Sequence, residues 1–129
     1  MYAEIKEEML KCAMRMDHYG LIALSGGNVS VRMENGDVVV TPSGMIYDEM
    51  VPDDMLVVDP QGNIIEGYRK ASVDTEALLY IFNKMPKVNA VIHTHQPYAT
   101  GLGLVLDEIP CNLSTLSNAT EGSRRHCGW

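Results

Sequence analysis

Two histidines one residue apart, His93 and His95, stand at the end of an apolar run that opens at Val88. On an extended strand side chains alternate, so both imidazoles point to one face, an arrangement suited to a single divalent metal. A transition metal wants a third and usually a fourth donor. The competing reading is a pair of solvent-facing or hydrogen-bonded core histidines. Asp74 is the nearest carboxylate in chain order outside the charged surface runs. It can serve as an N-cap or first-turn acid favoured by the helix dipole. It can also be an oxygen ligand, or the general base beside a polarised carbonyl.

Three separated stretches have the character of an oxyanion-binding surface. Ser25-Gly26-Gly27-Asn28 precedes one β-branched run, Thr41-Pro42-Ser43-Gly44 follows another, and Ser72 lies just before a helical pattern. Glycines let backbone N–H groups approach a ligand, hydroxyl and amide side chains add neutral donors, and a helix N-terminus adds its dipole. Such a surface holds phosphate without lysine. Taken singly, each stretch also reads as a plain turn.

These groups need elements to carry them. Ile5, Met9, Cys12, Ala13 and Met16 share one face of a helix, with Glu4, Lys6, Lys11 and Arg15 elsewhere and Gly20 as its stop. Val29 and Val31 alternate with Ser30 and Arg32, Asn35-Gly36 marks a hairpin turn, and Val38-Val39-Val40 returns as a strand. Leu56-Val57-Val58 is a further strand, turned at Pro60–Asn63 into a short Ile64-Ile65 strand. Ala77, Leu78, Ile81 and Met85 give a second helix, capped by Ser72 or Asp74 and ended by Pro86. A buried strand over Val88 to His95 and a helix over Tyr98 to Leu106 follow. The order predicts an α/β (α+β three-layer) domain: a mostly antiparallel central sheet flanked by helices.

A length of 129 residues bounds the chain to one ordinary domain. With 46% hydrophobic and 21% charged residues the composition is globular. The net charge of −7 argues against nucleic acid or an anionic membrane surface, since either needs clustered Lys and Arg. Cys12, Cys111 and Cys127 are odd in number and scattered, which points to a reducing compartment rather than a disulfide framework. The charged opening and the lack of a long apolar run predict a soluble, cytoplasmic chain. Residues 121–129 have no periodicity and read as a frayed tail.

The ordered set Gly27-Asn28-Val29-Ser30-Val31-Arg32, Thr41-Pro42-Ser43-Gly44 with Tyr47 beyond it, Ser72-x-Asp74 and His93-x-His95 resembles the class II aldolase/adducin family. That family includes L-fuculose-phosphate aldolase and L-ribulose-5-phosphate 4-epimerase. The resemblance runs from about residue 4 to Ala119 or Thr120, which makes residues 1–120 a domain incomplete at its C-terminus and 121–129 an atypical tail. It implies a Zn2+ cofactor, a small phosphosugar substrate and a homo-oligomer, a tetramer in the family, with sites between subunits. Carried onto this chain, it makes His93 and His95 zinc ligands. Asn28, Ser43, Gly44 and Ser72 become substrate phosphate contacts.

Asp74 takes the place where aldolases of the family carry a catalytic Glu and the epimerase an Asp. The implied reaction is retro-aldol cleavage of a ketose phosphate, zinc stabilising the enediolate; an epimerase of the ribulose-phosphate type shares its first half. Two departures stand out. Val73 holds the place of a second phosphate-binding serine, and the family's third zinc-binding histidine lies beyond Trp129. The resemblance therefore also admits a truncated, noncatalytic adducin-like domain. His126 is an unfavourable substitute ligand, because Arg124 and Arg125 beside it repel a cation.

Overall fold

The computed structural model describes residues 1–109 and 124–125. Helix α1 (Ala3–His18) leads into strands β1 (Asn28–Arg32) and β2 (Val38–Val40), then β3 (Leu56–Val58) and β4 (Ile64–Glu66). Helix α2 (Thr75–Lys84), strand β5 (Ala90–His93), helix α3 (Pro97–Gly103) and the short strands β6 (Glu108–Ile109) and β7 (Arg124–Arg125) complete the described elements. The chain divides into two compact units, residues 1–95 and 96–129.

In the first unit a five-stranded sheet runs in the order β4-β3-β2-β1-β5, with every neighbouring pair antiparallel. This is the expected architecture, and its meander follows from local turns. At the β1–β2 hairpin the Met33 N–H donates to the Asp37 carbonyl, and Gly36 takes φ 94°, a conformation open to glycine at little cost.

Strand alternation divides the core into two faces. Val29, Val39 and Val57 meet Met9, Ala13 and Met16 of α1, closed over by Tyr47, Met50 and Met55. Val38, Val40, Leu56 and Val58 meet Leu78, Leu79 and Phe82 of α2. Full burial of each such aliphatic side chain contributes about 1.5–3 kcal/mol. Because β1 obeys the same alternation, its polar residues Asn28, Ser30 and Arg32 share the α2 face.

The two ends of that polar row meet the two ends of α2. At the C-terminal end the Arg32 guanidinium donates at 2.6–2.7 Å to the Phe82 carbonyl, an acceptor that the helix end leaves open, and to the carbonyls of Pro86 and Val88 beyond it. Asn28 lies at the other end, beside Ser72 and Asp74.

Several expectations need correction. The histidine strand is shorter than Val88 to His95, ending at His93, because the His95 N–H donates to the Leu21 carbonyl instead of continuing the ladder. The third helix ends at Gly103 rather than Leu106. Lys6, placed by periodicity away from the apolar face, is buried, and its ammonium sits 2.6 Å from Glu66 at the end of β4. In the second unit Arg124 pairs with Ile109 and Arg125 with Glu108, so two residues of the expected frayed tail are strand. Cys12 is a free, half-buried cysteine, while Cys111, His126 and Cys127 lie outside the described residues. Among the described residues no helix is long and apolar enough to cross a membrane.

Candidate active site

The β1–β5 register sets Asn28 directly opposite His93. Directly paired residues of an antiparallel ladder point to the same face, so the amide and the imidazole are side by side. Asp74 reaches them from the start of α2. Its Oδ2 accepts from Asn28 Nδ2 at 2.7 Å and lies 3.0 Å from His93 Nδ1, while Nδ2 and Nδ1 are 3.3 Å apart. The His93 and His95 rings are 4.9 Å apart between centroids, at 64°. The alternation that brings both imidazoles to one side thus persists past the end of β5.

Asp74 occupies the N-cap position of α2, yet its side chain does not cap the helix. Ser72 does the local work: its Oγ accepts from the Asp74 N–H at 3.2 Å, and its carbonyl accepts from the Thr75 N–H and Thr75 Oγ1. With the turn held by Ser72, the Asp74 carboxylate points at Asn28 and His93. The expectation that Asp74 serves as a capping acid gives way to a carboxylate–imidazole pair.

The three stretches with oxyanion-binding character lie along adjoining chain segments. Asn28 Nδ2 comes within 3.5 Å of Ser72 Oγ. The Val29 N–H donates to Thr41 Oγ1, and Pro42 bridges Ala71, the residue before Ser72. Ser43 follows, its own N–H donating to the Lys70 carbonyl at 2.9 Å. Gly44 has φ 73° and open space where a Cβ would stand. Val73, in the place of a second serine, is 81% exposed.

Sequence reasoning missed why Gly26 and Gly27 are glycines. A Cβ on Gly27 would fall 2.6 Å from the His93 carbonyl oxygen, and one on Gly26 would fall 2.8 Å from His95 Nδ1. The loop before β1 therefore lies against the histidine segment, and the missing side chains permit it. Tyr47, quoted in the sequence only as part of a motif, fastens this loop: its buried hydroxyl donates to the Gly27 carbonyl at 2.9 Å. Burial pushes the Tyr47 pKa up, which keeps the hydroxyl a donor. A glycine pair ahead of a strand and a tyrosine after a turn were the available signals, but neither names its partner.

The donor set can be weighed for zinc. Two adjacent imidazoles match its ligand chemistry, and the Asp74–His93 contact has the form of the carboxylate support that metal-binding histidines commonly have on their second ring nitrogen. Among the described residues no third His, Cys, Asp or Glu joins them in a metal-holding group. The pair fits as two ligands of a larger set.

The comparisons with known proteins agree with this architecture. A family model described as Class II Aldolase and Adducin N-terminal domain matches residues 7–126. An L-fuculose 1-phosphate aldolase is similar at TM-score 0.79 and 30% identity, covering 84% of this chain and 51% of that one. The L-fuculose-1-phosphate aldolase from Thermus thermophilus has TM-score 0.79 at 26% identity, covering 97% of this chain and 63% of that one. A sugar-phosphate aldolase from Thermotoga maritima, at 24% identity and TM-score 0.65 over 81% of this chain and 58% of that one, shares the fold. The chain spans between 51% and 63% of the length of these three proteins. With its sheet order, its motifs and a family match over nearly all its residues, the chain belongs to the class II aldolase/adducin family.

Proposed function

We propose that this chain is a zinc-dependent aldolase that cleaves a ketose phosphate by retro-aldol chemistry, the substrate class named for the fuculose-phosphate aldolases it resembles. The observation that supports this most is Asp74 at 3.0 Å from His93, with His95 beside it and Ser72 two residues away. His93 and His95 would hold the metal. When bound, zinc supplies Lewis-acid polarisation of the substrate carbonyl.

The chain's own residues account for the rest. Ser43, Gly44 and Ser72 border the place for the phosphate, with Asn28 adjoining Ser72, and their neutral donors suit an acidic protein. Anchoring the phosphate fixes the carbon chain against Asp74. As the C3–C4 bond breaks, the C4 hydroxyl loses its proton and the aldehyde leaves, while the electron pair passes into a C2–C3 enediolate. Protonation at C3 then completes the ketose fragment. Asp74 is the carboxylate that takes up the first proton and returns one to C3, so no net proton is consumed.

Epimerisation at C4 is the second reading. It is favoured by Asp at position 74, where the epimerase of the family resembles this chain more than its aldolases do. The chain would then act in the cytoplasm as a homo-oligomer on the same substrate class.

The test is metal content of the purified protein together with turnover of ketose 1-phosphates and pentulose 5-phosphates. Retained zinc with aldehyde release supports the aldolase, and retained zinc with inversion at C4 supports the epimerase. Zinc without either reaction assigns the chain to the noncatalytic members. Absence of zinc under saturating metal overturns the reading.

A further inference from the structure

Asn28 is 1% exposed, and its Oδ1 is the buried side-chain atom that has no hydrogen-bond partner among the described residues. Leaving such a carbonyl unsatisfied forfeits its hydration with nothing in return. Turning the amide over would not relieve the site, because Oδ1 would then face Asp74 Oδ2 at the 2.7 Å now spanned by Nδ2, acceptor against acceptor. The amide's orientation is therefore fixed by the carboxylate.

Asp74 Oδ2 receives Asn28 and His93 together. For His93 to donate there, its proton must sit on Nδ1, and its metal-binding nitrogen is then Nε2. The 3.3 Å approach of Asn28 Nδ2 to His93 Nδ1 fits this assignment only if the amide directs its hydrogens to Asp74 and toward Ser72, not to the ring. The cross-strand pairing of Asn28 with His93 and the start of α2 hold the three groups in register.

We infer that Asn28 is a positioning residue: through its hydrogen bond to Asp74 Oδ2 it holds the carboxylate against His93 Nδ1 and so fixes the tautomer and ring orientation in which His93 serves the metal. This rests on the zinc reading above but assigns Asn28 a task distinct from phosphate contact.

Asn28→Ala tests it with two readouts. One is Zn2+ affinity by chelator competition, supported by the visible spectrum of the Co2+-substituted protein. The other is the His93 tautomer in the metal-free protein, from long-range 1H–15N correlation of its ring. The expected result is an affinity loss of about 10- to 100-fold, the usual effect of removing support behind a metal ligand, with a shift of His93 from the Nδ1–H toward the Nε2–H form. Ser30→Ala is the control. Ser30 is buried on the same face of β1, donates to the Val91 carbonyl and does not touch Asp74.

Unchanged affinity and tautomer in Asn28→Ala overturn the inference, even if protection by inorganic phosphate weakens. Equal losses in Ser30→Ala also overturn it, because they trace the effect to the sheet. A wild-type protein that takes up no Zn2+ overturns the zinc reading alone, and the tautomer measurement then decides Asn28 by itself.

Discussion

Asp54 and Asp74 are both aspartates drawn in from loops beside the sheet, and their surroundings differ in kind. Asp54 is 2% exposed and fully supplied with donors. The Tyr68 hydroxyl and the Arg69 guanidinium donate to its Oδ1, and the Val51 N–H donates to Oδ2. Those contacts, led by the Tyr68 hydroxyl and the Val51 amide, hold its pKa below the ordinary carboxylate value. The side chain of Asp74 is 31% exposed, and its contacts with Asn28 and His93 fall on one oxygen. One carboxylate closes a loop. The other is partly open, faces an imidazole and binds the buried Asn28 amide. Residue type does not distinguish them, so the fold alone decides which carboxylate is saturated with donors and which faces an imidazole.

The largest effect is expected at the histidines. His93→Ala should abolish zinc retention while the protein stays folded, measured by elemental analysis alongside circular dichroism; undiminished zinc would make the pair structural. Next is Asp74→Asn. Turnover should fall about 10²- to 10⁴-fold, the usual contribution of a positioned acid–base group, while the protein stays folded by circular dichroism. A stability loss with unchanged turnover would move Asp74 into the class of Asp54.

Asp54→Ala should do the reverse. Stripping the acceptor from the Val51 amide, Tyr68 and Arg69 should cost about 1–3 kcal/mol in urea unfolding and leave zinc content unaltered. The smallest effect is in pH dependence. Because the folded-state pKa of Asp54 is depressed, its stabilisation is fully present above its unfolded value of about 3.9 and is lost as pH falls through the native value. Asp54→Asn should therefore flatten its share of the acid limb between about pH 5 and the native pKa, read as the urea midpoint against pH. An unchanged limb would mean that Asp54 gains nothing from its partners.

Much of this was legible in the residues. The valine runs at 38–40 and 56–58, the Asn35-Gly36 turn and the helical spacing of Met9, Ala13 and Met16 encode their elements locally. The His-x-His pair also survives, since side-chain alternation is a property of the backbone. Lys6 was misplaced for the opposite reason: its burial depends on Glu66, sixty residues away.

The sequence by itself determined the order of helices and strands, the two apolar faces of the sheet and the residue types available for chemistry. Those are consequences of periodicity, turn geometry and side-chain pKa, which act over a few residues. Only the tertiary structure decided that Asp74 meets His93 and Asn28 instead of capping α2, that Gly26 and Gly27 admit the loop onto the histidine segment, and that Asp54 is spent on Arg69 and Tyr68. Each depends on strand register and on which end of a helix meets the sheet. Those are contacts between distant segments, and burial fixes them only when the chain closes on itself.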